Sequence, residues 1–275
     1  MALLLAAGAF ITLPWPTPTA QSLNLTLGYA TVKSTGTRFS WYVASLDDFT
    51  RYSQALPGGT CAQRATTTAT AREHGCTVAS NSGYFKFSPS PTFCSGNLVV
   101  EGAVPQWLSD DLPMLAVTSN RTTLLGPLPR AQLAALGVTH AVSGSGLIQV
   151  DGAPSAAGIA RARAHVRALR PSAEEVAPRT IACIDAAGRM LLLVIDGVEA
   201  LQLGVTMDEA AEVVSGGAAG FPFASLHAIN LDGGGSTTLV AQPSAGQPAQ
   251  VYNRPTDTDT GPVTERAVTS IVCFK

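Results

Sequence analysis

Charge is scarce in this 275-residue chain: Asp, Glu, Lys and Arg make up 13% of it, and the net charge is −2. A nucleic-acid surface works through clustered Lys and Arg that release counterions, so nucleic acid is excluded as a partner. Aromatic residues, at 6%, are too few for a carbohydrate-binding face built from many exposed rings. No Cys-x-x-Cys pair occurs, which removes thioredoxin-like and zinc-ribbon sites. The four histidines, His74, His140, His165 and His227, have no metal-ligand spacing, and no Gly-x-Ser-x-Gly elbow supports an α/β-hydrolase triad. No metal and no cofactor is therefore expected. What the chain does have is 46% hydrophobic residues, enough to bury a substantial core and to exclude wholesale disorder.

The first thirteen residues are almost wholly apolar, too short a run to span a bilayer. Pro14, Pro16 and Pro18 follow, and Ala20 is a small residue suited to cleavage. Residues 1–20 read as a signal peptide without a basic n-region, the alternative being a buried N-terminal strand. Residues 21–275 then form the functional domain. Asn24-Leu25-Thr26 and Asn120-Arg121-Thr122 are glycosylation sequons. Among the five cysteines, four suit disulfides in an oxidising compartment, and Cys183, in the apolar run Ile181-Ala182-Cys183-Ile184, reads as a buried inert thiol. No later apolar segment is long enough for a membrane anchor, so a secreted or secretory-lumen protein is expected.

Short strand-like runs between Gly, Pro, Asp and Asn clusters dominate the chain. Gly146 to Val150 ends at Asp151-Gly152, a strong hairpin turn, and Asp185-Ala186-Ala187-Gly188 joins two further apolar runs. Helices are expected over 62–74, stopped by Gly75, over 206–214, opened by the capping-box pattern Thr206-Met207-Asp208-Glu209, and over 129–136. Residues 153–178 read as a long loop whose arginines form a solvated face. Strands with isolated helices, without regular alternation, indicate a single α+β domain with a mixed or antiparallel sheet and a few packed helices.

The most distinctive segment is Asn230-Leu231-Asp232-Gly233-Gly234-Gly235-Ser236-Thr237. An apolar run delivers Asp232 to a strand end, and three glycines follow, allowing backbone N–H groups close approach to an anion. Ser236 and Thr237 add hydroxyl donors. A P-loop is ruled out, since Lys is absent and the glycine spacing is wrong. A tight Asp-Gly hairpin turn explains the same residues equally well. Elsewhere, Asn81 precedes Ser82-Gly83-Tyr84-Phe85, Arg179 stands at a strand start where its fork suits phosphate or carboxylate, and Asp196-Gly197 ends an apolar strand.

In order, Cys76-x-x-Ala79-x-Asn81-x-Gly83-Tyr84-Phe85, Cys94-x-Gly96-Asn97-Leu98-Val99, Arg179-Thr180-Ile181-x-x-Ile184-Asp185-x-x-Gly188, Asp196-Gly197 and the Asp232 segment resemble the phosphodiester glycosidase family. The likeness runs from about Cys61 to Cys273. It implies a hydrolase that removes a sugar, expected to be alpha-N-acetylglucosamine, from a C1-linked phosphodiester, leaving a phosphomonoester such as mannose 6-phosphate. It also implies pairing of Cys61 with Cys94 and of Cys76 with Cys273. Under that reading Asp232 is the nucleophile or general base and Asp196 the second candidate. Arg179, Gly233, Gly234, Gly235, Ser236 and Thr237 contact the phosphate, and Asn81 orients a sugar hydroxyl or acetamido group. Asn253-Arg254-Pro255-Thr256-Asp257 and Glu265-Arg266 resemble bacterial members.

One departure stands out. Ser82 occupies a place where the family commonly has glycine, and a positive φ there would cost about 1 kcal/mol. Two other readings follow from the residues: a secreted sugar-phosphate-binding module without turnover, and a hydrolase of phosphodiester-linked sugars in an extracellular polymer.

Overall fold

A computed structural model describes residues 10–16, 23–89, 92–169, 176–198, 201–244, 246–256 and 264–275. Among these, antiparallel strands form three sheets, and the helices are few and short. The fold is thus more sheet-dominated than the α+β expectation. In the eight-stranded sheet, Arg179–Asp185 and Met190–Ile195 lie side by side near the centre, with Ser225–Asn230 on one flank and Arg38–Leu46 on the other. Leu239–Ala241, Val78–Asn81, Ile271–Phe274 and Tyr52–Ala55 run through a five-stranded sheet. A six-stranded sheet carries Pro113–Thr118 and Val138–Ser143 at its centre.

The two-residue period of a strand explains the layering. In Met190–Ile195 every side chain is buried. Met190, Leu192 and Val194 enter a core shared with Leu115, Val117 and Leu125 of the six-stranded sheet and Val272 and Phe274 of the five-stranded one. Leu191, Leu193 and Ile195 point the other way, onto the helical layer. Each fully buried aliphatic contributes about 1.5–3 kcal/mol, so this strand is committed to the interior on both faces.

Local signals place two of the three helices. In α1 (Thr67–His74), Thr66 accepts from the Ala69 N–H at 3.1 Å, and Gly75 ends the helix at φ 67°. For α3 (Met207–Val214), the capping box is complete: Thr206 Oγ1 accepts from the Glu209 N–H at 3.2 Å, and Glu209 Oε2 accepts from the Thr206 N–H at 2.8 Å. The expected loop over 153–178 instead contains α2 (Ala156–Leu169), packed on the second core through Ile159 and Ala162. Its N-terminal signal is Ser155, whose Oγ accepts from the Gly158 N–H at 3.1 Å. Gly158 weakened the helical pattern by about 1 kcal/mol of propensity, yet any side chain there would overlap the Leu147 carbonyl. The helix expected over 129–136 reduces to a 3₁₀ turn, Arg130–Gln132, because so short a segment cannot offset its nucleation cost.

Both expected hairpins are present. Asp151 and Gly152 adopt φ 50° and 78° at the first turn. At the second, Asp185 Oδ1 accepts from the N–H groups of Ala187 and Arg189, each at 2.9 Å.

The disulfides Cys61–Cys94 and Cys76–Cys273 form as the resemblance implied, and Cys183 is free and buried, its thiol pushed up to about 12 by desolvation. Two disulfides fit an oxidising compartment of the secretory pathway. Among the described residues no helix is long and apolar enough to cross a membrane. Asn24 and Asn120 are both exposed. The segment expected as a leader is described only at residues 10–16. There Ile11–Pro14 pairs with Thr122–Pro127, and Trp15 stacks on Phe49 at 5.3 Å.

Candidate active site

The 231–238 loop leaves Ser225–Asn230 in the eight-stranded sheet and enters Leu239–Ala241 in the five-stranded sheet. Its flanking strands lie in different sheets, so the Asp-Gly sequence is not a hairpin turn. The loop is a bridge tied to both sides. Leu231 N–H donates to the Thr180 carbonyl at 2.9 Å and Gly234 N–H to the Pro178 carbonyl at 2.9 Å, while Asp232 N–H donates to the Ser82 carbonyl at 3.0 Å.

Asn81 is the clasp between the sheets. Its Nδ2 donates to the Asp232 carbonyl at 2.6 Å, and its Oδ1 accepts from Thr180 Oγ1 at 2.8 Å and from the Thr238 N–H at 3.1 Å. The side chain is fully buried. The amide expected to orient a sugar is therefore committed within the protein, where it fixes the main chain carrying Asp232. Ser82 next to it does not adopt a positive φ, and its buried hydroxyl donates to Gln54 Oε1 at 2.6 Å. The serine carries no backbone strain.

Part of the anion cradle expected of this loop is committed within the protein. Of the three glycines, only Gly234 has a positive φ, 61°. The Gly234 amide faces Pro178, and the Ser236 and Thr237 amides donate to the Gly233 and Gly234 carbonyls at 3.3 and 3.0 Å. Those three amides turn inward, and Ser236 and Thr237 are buried. What the glycines supply is close approach. A Cβ on Gly233 would stand 2.8 Å from the Pro178 oxygen, and one on Gly235 would overlap the Thr256 carbonyl and the Arg266 guanidinium. Gly235→Ala must push Arg266 or the loop aside at a cost of about 1–3 kcal/mol. It is expected to lower kcat/KM for the hydrolysis proposed below by about a hundredfold, read in steady-state kinetics beside a melting curve.

Cations surround this loop. Arg179 is 5% exposed, and its Nε donates to the Val205 carbonyl at 3.2 Å. Tyr84 donates its hydroxyl to the Leu231 carbonyl at 2.9 Å and accepts from Asn230 Nδ2 at 3.1 Å. Burial raises the Tyr84 hydroxyl pKa; the Asp232 charge adds to that rise and the Arg179 charge opposes it, placing both charged groups beside the loop.

Asp196 stands at the end of Met190–Ile195, on the wall of an open cavity of about 650 Å³ with Tyr29, Arg38, Ser40, Leu203 and Arg254. Its Oδ1 accepts from the Arg254 N–H at 3.1 Å. Desolvation raises its carboxyl above the ordinary carboxylate range, partly offset by hydrogen bonds from Arg254, Gly197 and Asn253. Asn253 joins this cavity to the loop, since its Nδ2 donates to the Thr237 carbonyl at 2.8 Å and reaches Asp196 Oδ1 at 3.5 Å. In the sequence, Asn253, Arg254, Arg266 and Tyr84 carry only the family likeness, without a role at the site. Only the fold brings Tyr84 to Leu231, Asn253 to Thr237, Arg266 to Gly235 and Arg254 to Asp196. Among the described residues, no group of three His, Cys, Asp or Glu side chains is placed to hold a metal ion.

Asp196 with Arg38 and Arg254 at the cavity, and the Asp232 loop with Arg179 and Arg266 against it, suit an anionic substrate and acid–base chemistry. The family model for phosphodiester glycosidases matches residues 74–275, most of the chain, and the protein belongs to that family. It is 31% identical over 197 residues to N-acetylglucosamine-1-phosphodiester alpha-N-acetylglucosaminidase of Bos taurus. That match covers 67% of this chain but 35% of the bovine protein, so the chain spans about a third of that relative's length. In fold it is similar to the catalytic domain of the zebrafish enzyme of the same name, described as auto-inhibited by its pro-peptide. The TM-score is 0.78 at 20% identity, covering 96% of this chain and 87% of that one. A hypothetical protein from Synechocystis shares the fold at TM-score 0.59 and 14% identity, covering 98% of this chain and 64% of its own.

Proposed function

We propose that the protein hydrolyses the bond between C1 of a sugar and a phosphodiester oxygen, releasing the free sugar and a phosphomonoester. The bovine relative's name supports alpha-N-acetylglucosamine as the sugar. The observation that carries the reading is the clasped bridge, which holds Asp232 between two sheets with Arg179 beside the loop and Arg266 against Gly235. Phosphate is already a good leaving group, so the site's main tasks are to hold its charge and to stabilise positive charge at C1.

In the proposed reaction the C1–O bond breaks and its electron pair stays on the phosphate oxygen. The guanidinium groups of Arg179 and Arg266 balance the added charge. The Asp232 carboxylate either attacks C1, to be displaced later by water, or takes the proton of the attacking water. In both routes the water oxygen ends on C1. The Ser82 position, which could have marked a protein without turnover, is unstrained and leaves that alternative without its motive.

Release of free N-acetylglucosamine from an alpha-N-acetylglucosamine-phosphate-mannose diester tests the reading. Steady turnover supports it, and none from folded protein on this or any other glycosyl phosphodiester overturns it. The raised carboxyl of Asp196 has its own signature. A carboxylate that must be ionised but holds its proton to higher pH makes kcat/KM fall, on acidification, earlier than an ordinary carboxylate near pH 4 would. Asp196→Asn should move that acid limb to lower pH. An unmoved limb would exclude Asp196 as the group being titrated.

A further inference from the structure

Phe87, like Tyr29, is an exposed aromatic side chain. It is 61% exposed, although burying a large ring is a principal contribution to a core. It is not loosely placed. The Arg64 guanidinium lies 5.7 Å from its ring centroid and the Arg266 guanidinium 5.5 Å, and Phe85 packs against it at 5.4 Å. Arg64 is itself held over Phe93 at 4.8 Å, and its buried Nε has no hydrogen-bond partner.

The mount beneath the ring is rigid. Lys86 N–H donates to the Phe93 carbonyl at 2.7 Å, Phe93 N–H to the Cys61 carbonyl at 2.9 Å, and Phe85 bridges to Cys94, which the disulfide fixes to Cys61. The stapled segment therefore presents the Phe87 ring to solvent, with the half-buried Arg64 and the buried Arg266 packed against it. The same segment begins at Ser82, which holds the Asp232 N–H, so even a fully extended chain keeps Phe87 within about 18 Å of that contact. Arg266 closes the gap, because its guanidinium touches both the Phe87 ring and the backbone at Gly235.

We infer that Phe87, backed by Arg64, seats the departing half of the substrate, a hexose ring that carries the phosphate held at Arg266. The inference rests on the proposed hydrolysis and adds the location and chemical class of the leaving group. A pyranose offers a face of C–H groups with slight positive charge, which packs on the negative face of an aromatic ring. Two guanidinium groups within about 6 Å of the ring centroid favour a sugar bearing an anionic ester over a neutral one. The Asp196 cavity, joined to the loop by Asn253, is left for the transferred sugar.

The test compares two diesters with the same alpha-N-acetylglucosaminyl phosphate, one esterified to the 6-hydroxyl of methyl mannoside and the other to methanol. In Phe87→Ala, KM for the mannoside diester should rise about tenfold while the methyl diester is unaffected, and Phe87→Tyr should restore the difference. Equal loss on both substrates, or no change on either, overturns the inference while leaving the hydrolysis standing. Should the wild type turn over neither diester, the proposed function fails separately, and binding of mannose 6-phosphate is measured by calorimetry. Weaker binding in Phe87→Ala with inorganic phosphate binding unchanged supports the seat. Equal binding by both proteins, or none, overturns it.

Discussion

Asp232→Asn should lower turnover of a glycosyl phosphodiester by at least about a thousandfold while leaving the fold intact. The amide has nearly the same shape as the carboxylate but neither attacks C1 nor accepts a proton from water. Two backbone contacts hold residue 232 in place: its own N–H, donating to the Ser82 carbonyl at 3.0 Å, and its carbonyl, accepting from Asn81 Nδ2 at 2.6 Å. The substitution leaves both intact, so circular dichroism and the melting temperature should stay close to wild type. Retention of more than about a tenth of the wild-type rate would remove Asp232 from the chemistry.

Loss of the Cys76–Cys273 bridge should produce the largest stability effect. The bridge spans a sequence separation of 197, against 33 for Cys61–Cys94. Chain entropy then assigns it about 5 kcal/mol, and about 3–4 kcal/mol to the shorter loop. Since total stability is about 5–15 kcal/mol, the first figure is a large fraction of the whole. Ile271–Phe274 pairs with both Val78–Asn81 and Tyr52–Ala55, so loosening it disturbs the strand that delivers Asn81. Urea unfolding of the Cys76→Ser, Cys273→Ser protein should show a midpoint well below that of the Cys61→Ser, Cys94→Ser protein. The reverse order would contradict the entropic account.

Much of the fold was legible wherever a local signal was strong. Asp151-Gly152 and the 185–188 turn marked hairpins, and Thr206 with Glu209 marked the start of α3, because each involves residues within four positions of one another. The helix α2 was hidden by Gly158, whose close packing against Leu147 is a tertiary requirement. At the site, the Asp232 segment stood out, but its role did not. A hairpin and a bridge between two sheets begin with the same Asp-Gly sequence, and only the strand pairing separates them. Asn81 drew attention for its side chain, yet four hydrogen bonds, the fourth from Ser80, make it a positioning residue. Arg266 is distant in sequence from Gly235, and only the fold lays its guanidinium against the loop.

The central claim concerns which bond breaks, and hydrolysis in ¹⁸O-enriched water decides it. Cleavage at C1–O puts the water oxygen on the sugar and leaves the phosphomonoester unlabelled, whereas cleavage at P–O puts the label on phosphorus. Phosphorus NMR of the released monoester distinguishes the two by isotope shift. An unlabelled phosphate is the expected result. A labelled phosphate would contradict the account and make the site that of a phosphodiesterase.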